Sequence, residues 1–368
     1  MTADIDSSAL VRPERIRPVQ LRLPSGTVEE RGRLRGERLR PLIHDAIRGY
    51  SGLFDELGIA ERRQVGAAAA SLEALRCWDP LQHAEVVSVA LAAGVTPIEL
   101  MLVIARTEIL AAAGQGQGEC SALVALTPEG SAVGAQTWDW HLELSHLWHV
   151  NDVASGEGTV GHVGFAEAGM LAKIGVNAAG VGVMLNILAN DGDRCGGVPV
   201  HAVLTAVLNR AMSLDEARNI IATAPTSASS TITVVAPQGA FVVEIGPRGK
   251  AEQPVAGIAA HTNHFVADAL QEGARELSAE TKSHERLSLL DRRIDGMQGA
   301  DSAAELTALL RTTDRDAPVS LIADFEKPRW KRPATLVSVR MDAAARSVGV
   351  AAGSPSMIGA GSWISLHA

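Results

Sequence analysis

Residues 120–142 read CSALVALTPEGSAVGAQTWDWHL, and the turn inside this stretch decides what surrounds it. Two apolar runs, Ser121–Leu126 and Ser131–Trp138, flank Thr127-Pro128-Glu129-Gly130. Strand formers on both sides of a four-residue Pro/Gly turn predict an antiparallel hairpin. The pattern recurs. Residues 171–188 join LAKIGV to VGVMLNIL across NAAG, with Asn177 and Gly180 as turn residues, and residues 230–245 join STITVVA to AFVVEI across PQG. Helices are read near 199–211, at 214–223 behind a Ser213 cap, at 277–293 and at 302–311, before two closing strands, ATLVSVRMD and RSVGVAAG. Hairpins in runs with helices inserted as blocks predict an α+β fold of two mostly antiparallel sheets, face to face between helical layers.

Upstream of the hairpin the texture is helical. Gly32, Gly36 and arginine-rich turns open an amphipathic segment in which Leu39, Ile43, Ile47 and Leu53 recur close to a 3.6-residue period. Asp79-Pro80 and Thr96-Pro97 each place a capping side chain before a proline, the signature of a helix start. The helix opening at Pro97 is expected to run through PIELMLVIARTEILAAA to the glycine-rich stretch 114–118. The chain thus divides into a helical region, 1–119, and a strand-rich region, 120–368.

Composition narrows the function. With 368 residues, 46% of them hydrophobic, the chain can bury one large core or two medium ones. A net charge of −9 leaves no basic stripe for nucleic acid, and the short cluster Lys327, Arg329, Lys331, Arg332 does not supply one. The first eighteen residues lack the apolar core of a secretory signal, and no apolar run approaches the ~20 residues of a membrane span, so a cytoplasmic protein is expected. Three cysteines without CxxC or CxxH spacing support neither a disulfide framework nor a structural zinc site.

Cys77 and Cys195 read as small core hydrophobes. Cys120 is placed differently, at the seam between the loop GQGQGE and a strand. If the bond between Glu119 and Cys120 is cut, the sulfur gains a free α-amine, of reference pKa about 8, that can take the thiol proton without a histidine. Asp139, between Trp138 and Trp140 on the return strand, needs a partner or a role if buried. Asn263, in HTNHF, is either a loop anchor or a donor to an oxyanion. His141, His146, His149 and Glu143 match neither HExxH nor one helical face, so a metal site is not expected. The run GQGQG lacks a phosphate loop's Lys-Ser/Thr ending and follows a helix rather than a strand.

Taken in order, Cys120 opening a hairpin, Trp138-Asp139-Trp140, EAGMLAKIGVNAAGVGVMLN at 167–186, GVPVHAVLTAVL at 197–208 and HTNHF resemble the acyl-coenzyme A:6-aminopenicillanic acid acyltransferase (isopenicillin N acyltransferase) family. The opening GTVEERGRLRGERL at 26–39 is similar to that family's N-terminal signature. The resemblance implies a four-layer αββα Ntn-hydrolase sandwich and a precursor that cuts itself before its cysteine. Cys120 is then the nucleophile, Asp139 the neighbouring carboxylate and Asn263 the oxyanion side chain. An arginine near the last strands is also implied, and Arg332 is the best match, with Arg329 close by. One departure is Glu119, where members of the penicillin pathway carry glycine.

The implied activity is hydrolysis of a small N-acyl amine or N-acyl amino acid through an acyl thioester. Transfer of the acyl group to an amine is the alternative, and a non-catalytic binder or a papain-like protease stand behind it. Trp138, Trp140 and His141 are candidates to bind substrate, although tryptophans at strand ends are more often core. No cofactor is expected, a coenzyme A thioester entering only as a co-substrate. The partners expected are the substrate and the protein's own 1–119 fragment, with homo-oligomerisation left open.

Overall fold

The structure, a computed structural model, describes residues 11–115, 119–277 and 279–368. Most of the glycine-rich run before the cysteine, residues 116–118, lies outside the described residues. Among the described residues the first strand, β1 (Val19–Leu23), is followed by five α-helices: α1 (Val28–Glu56), α2 (Glu61–Trp78), α3 (Pro80–Ala93), α4 (Pro97–Ile104) and α5 (Arg106–Ala112). Strands β2 (Glu119–Leu126), β3 (Ala132–His141), β4 (Trp148–Val153), β5 (His162–Glu167), β6 (Ile174–Asn177) and β7 (Gly182–Ile187) follow. Helices α6 (Val200–Arg210) and α7 (Leu214–Thr223) lead to β8 (Ser230–Ala236), β9 (Gly239–Gly246), β10 (Gly249–Pro254) and β11 (Ile258–His261). Helices α8 (Ser283–Ile294) and α9 (Ala303–Leu309) precede β12 (Pro333–Asp342), β13 (Ser347–Ala352) and β14 (Ile364–His367).

Among the described residues the strands form two sheets, one ordered β1-β4-β5-β6-β7-β8-β9-β10 and the other β11-β2-β3-β12-β13-β14. Every pairing is antiparallel except β1 with β4. The sheets face each other through β2 against β7 and β3 against β8, α6 and α7 cover the first sheet, and α8 and α9 cover the second. This is the four-layer αββα order expected from the resemblance. All three predicted hairpins are present, β2–β3, β6–β7 and β8–β9. At the first of them Gly130 closes the turn at φ 84°, a left-handed conformation that glycine reaches without steric cost.

Capping chemistry sets the helix starts as read. Thr96 and Glu99 form a reciprocal capping box with Pro97 at the first position, and Asp79 caps α3 through the Gln82 N–H. Gly36 serves close packing: a Cβ there would come within 2.4 Å of the Val89 carbonyl on α3. One expected helix is two. The segment from Pro97 breaks at Ala105, whose ψ of 19° ends α4, and Arg106 begins α5 as a buried charge. Among the described residues no single helix is long and apolar enough to cross a membrane.

The boundary near residue 119 is not a boundary between folding units. β1 forms the edge of the eight-stranded sheet, while β2 already includes Glu119. Both regions contribute to one large core, in which Leu39, Tyr50 and Ile109 pack in the same cluster as Trp138, Phe165 and Val203.

Candidate active site

The β2–β3 hairpin brings the candidate groups to one end of the second sheet. Cys120 lies opposite Trp138, and Glu119 opposite Asp139. Cross-strand partners share a face, so Cys120 and Trp138 point between the sheets, into the large core. The alternate residues, Ser121 and Thr137, point to the other side, where Arg286 of α8 donates to Ser121 Oγ at 2.9 Å.

Asn263, in the loop after β11, meets the backbone of Cys120. The Cys120 N–H donates to Asn263 Oδ1 at 2.9 Å, and Arg286 Nη2 donates to the same oxygen at 2.8 Å. Two donors on one atom identify it as the carbonyl of the amide. Asn263 Nδ2 then donates to the Ile187 carbonyl at 2.9 Å. Arg286 Nη1 also donates to the Cys120 carbonyl at 3.0 Å, and Asn186 Nδ2 reaches that carbonyl from the opposite sheet at 2.9 Å. The peptide unit on which Cys120 sits is therefore held by side chains from β7, α8 and the 263 loop.

Burial pushes the Cys120 thiol up to about 11; the Asp139 carboxylate adds to the rise, while Lys173 and Arg286 oppose it. In the uncut chain this cysteine is a neutral thiol at pH 7, a poor nucleophile. Burial holds His141 near 4, and its ring stands edge-on to Trp140 and Trp330.

Behind Cys120 lies a buried ionic cluster. Glu167, at the end of β5, accepts from Arg106 Nη2 at 2.6 Å, from Lys173 Nζ at 2.6 Å and from the Tyr50 hydroxyl. The Lys173 ammonium stands 3.8 Å above the Trp138 ring, and the Arg106 guanidinium 4.3 Å above that of Trp140. Trp138 and Trp140 are 2% and 3% exposed, so they are a packed wall behind the cysteine and do not line an open cleft.

Cys120, Asp139 and Asn263 thus stand together, but Arg332 does not join them. It lies before β12, where its Nη1 is 3.5 Å from Glu143 and its Nε donates to the Lys327 carbonyl. Arg286 is the arginine that stands against Cys120 and Asn263. The signal for Arg286 was its spacing, since it sits with Ser283, Leu289 and Leu290 on the buried side of α8. The expectation for the other cysteines is also corrected. Cys77 and Cys195 are exposed, and it is Cys120 that is buried. Cys77, in the last turn of α2, has its thiol turned outward to Glu73.

Buried imidazoles give the fold a defined pH response. Loss of hydration, reinforced by nearby arginines, holds His141 near 4 and His149 and His162 near 3. Between about pH 6.5 and those values the unfolded chain binds more protons than the folded one, so stability is full above about pH 6.5 and falls as pH drops. By pH 4.5 each histidine removes roughly 2–3 kcal/mol. The urea midpoint is expected to fall steadily from pH 7.5 to 4.5, and an unchanged midpoint would contradict the burial of these rings.

The family model described as acyl-coenzyme A:6-aminopenicillanic acid acyl-transferase matches residues 126–357, more than half of the chain, starting just after Cys120. The acyl-coenzyme A:6-aminopenicillanic-acid-acyltransferase 40 kDa form of Emericella nidulans is 26% identical over 337 residues, covering 90% of this chain and 91% of that one. Among solved structures, a mutant of conjugated bile acid hydrolase from Clostridium perfringens aligns with a TM-score of 0.40 at 12% identity, covering 63% of this chain and 89% of that one. Penicillin V acylase from Agrobacterium tumefaciens aligns with a TM-score of 0.40 at 12% identity, over 63% and 83%.

Proposed function

The chain belongs to the acyl-coenzyme A:6-aminopenicillanic acid acyl-transferase family, and from that premise we propose that it is a self-processing amidohydrolase with Cys120 as nucleophile. The family supports acyl-group chemistry of the N-terminal-nucleophile type, amide hydrolysis or acyl transfer. One observation carries the finer reading. The Cys120 N–H rests on Asn263 Oδ1, beside Asp139, at the bond that must be cut.

Processing comes first. Cys120 Sγ adds to the Glu119 carbonyl carbon, the bond from that carbon to the Cys120 nitrogen breaks, and the nitrogen leaves as an α-amine. Water hydrolyses the thioester, giving a Glu119 carboxylate and a free thiol on fragment 120–368. The 1–119 fragment stays bound through the shared core and the Arg106–Glu167 pair. The new α-amine keeps the position of the former N–H. There Asn263 Oδ1 and Asp139 hold it, and Arg286 fixes Asn263.

Turnover repeats the chemistry on an external acyl compound. The α-amine takes the thiol proton, the sulfur attacks the amide carbonyl, and the amine product leaves with a proton. Water then resolves the acyl thioester. Asn263 Oδ1 is proposed as acceptor for the amine, and since the Ile187 carbonyl takes only one of the two Nδ2 hydrogens, the expected role as oxyanion donor stays available. The substrate is a small N-acyl amine or N-acyl amino acid, with no cofactor required. Acyl transfer is the second reading, favoured by the name of the Emericella relative. It needs only an amine in place of water at the last step.

Incubating the processed protein with N-acyl amines, N-acyl amino acids and acyl-coenzyme A thioesters, with and without added amine, tests the reading. Free acid and free amine are the expected products. Products formed only when an acceptor amine is present would replace hydrolysis with transfer, and no turnover of any acyl donor would overturn both.

A further inference from the structure

The ionic cluster behind Cys120 does not balance. Glu167 carries one negative charge, held low by Arg106 and Lys173, and two buried cations share it. Glu108, two residues along α5 from Arg106, is raised to about 7 by burial, so near neutral pH it supplies only part of a second negative charge, and its Oε1 accepts the Val200 N–H at the start of α6. Tyr50 on α1 is held as a phenol by burial and donates to Glu167. His201 on α6 is held neutral by burial. Lys173 thus shares its carboxylate with a second buried cation, and a buried charge is costly unless well compensated, which raises the question of what else that charge stabilises.

Position answers it. Lys173 Nζ lies 3.8 Å above the ring of Trp138, and Trp138 is the cross-strand partner of Cys120 on the same face of the sheet. Glu167 Oε1 at 2.6 Å and the aromatic face fix the ammonium there, and its side chain is 2% exposed. The charged groups that act on the thiol are Lys173 from the β5–β6 connection, Asp139 from β3 and Arg286 from α8. Arg286 is occupied by the Cys120 and Thr281 carbonyls, Ser121 Oγ and Asn263 Oδ1. Lys173, by contrast, donates to one acceptor among the described residues, Glu167.

We propose that Lys173 is the positioning cation of the site, its buried charge stabilising the Cys120 thiolate of the processed enzyme. The inference rests on Cys120 being the nucleophile. Its role is electrostatic. The proton still passes from sulfur to the α-amine, and Lys173 lowers the energy of the thiolate left behind.

The test is the pH dependence of Cys120 alkylation by iodoacetamide in processed protein, alongside kcat and KM. Lys173→Met keeps the Glu167–Arg106 pair neutral overall. It is expected to move the alkylation midpoint up by about one pH unit or more and to lower kcat with KM little changed. Lys173→Arg is expected to bring the midpoint back towards that of the natural protein. If Lys173→Met does not accumulate as folded protein, Lys173→Gln, whose amide can still donate to Glu167, decides by the same titration. Superimposable profiles for natural protein and the folded uncharged variant would overturn the inference. Alkylation of Cys120 that leaves the natural protein active would instead overturn its assignment as nucleophile.

Discussion

Cys120→Ala is expected to give one uncut chain of 368 residues with no turnover, while the natural protein separates into 1–119 and 120–368 on a denaturing gel. Both losses follow from the same atom. In self-cleavage the sulfur attacks the Glu119 carbonyl; in turnover it attacks the acyl carbon of the substrate. The substitution removes one sulfur from a packed position and leaves every hydrogen bond of the Cys120 backbone, to Asn263, Arg286 and Asn186, in place. Folding should therefore survive, with a loss of about 1 kcal/mol for the small cavity. A cleaved Cys120→Ala chain would remove the sulfur from the processing step, and an active one would remove it from catalysis.

Glu167→Ala is expected to cost about 3–5 kcal/mol of stability, measured by urea denaturation. The carboxylate is 1% exposed and faces Arg106 and Lys173, which would be left as two buried, uncompensated cations. The position has a second consequence. Arg106 and Tyr50 lie before the cut and Glu167 after it. Processed Glu167→Ala protein is therefore expected to release its 1–119 fragment during gel filtration at urea concentrations the natural protein withstands. A stability change below about 1 kcal/mol with the fragments still together would mean that the ion cluster contributes little to either.

Much of the sheet structure was legible because its signals are local. Thr127-Pro128-Glu129-Gly130, Asn177 with Gly180, and Pro237-Gln238-Gly239 each declare a turn within four residues, and each joins two paired strands. Thr96 and Asp79 declare helix starts in the same way. Strand β1 was not legible. It is short, and its partner β4 lies about 130 residues further on, so its pairing depends on contacts that no local pattern records. Strands β4, β5, β10, β11 and β14 were missed as well, and β10, largely exposed, carries no apolar alternation to mark it.

The site divides along the same line. Cys120 and Asp139 were readable because one hairpin brings them together, and the resemblance supplied Asn263. Arg286 was missed because a lone arginine in SHERLSLL looks like the solvent side of an amphipathic helix. Its register with Leu289 and Leu290 marks the buried side instead. Arg106, Glu108 and Lys173 carry a similar signal, being isolated charges inside apolar runs that the fold closes over. Arg332 had the right sequence neighbourhood, but the β12 register leaves it beside His141 and Glu143, at the end of the strand.

The central claim is that Cys120 becomes a chain terminus and then carries the acyl group. Intact-mass analysis of the purified protein, before and after rapid quenching with an N-acyl substrate, tests it directly. The account predicts two fragments, the larger beginning at Cys120, and an acyl adduct on that fragment that disappears when substrate is exhausted. A single full-length species that turns over substrate without any adduct would contradict it.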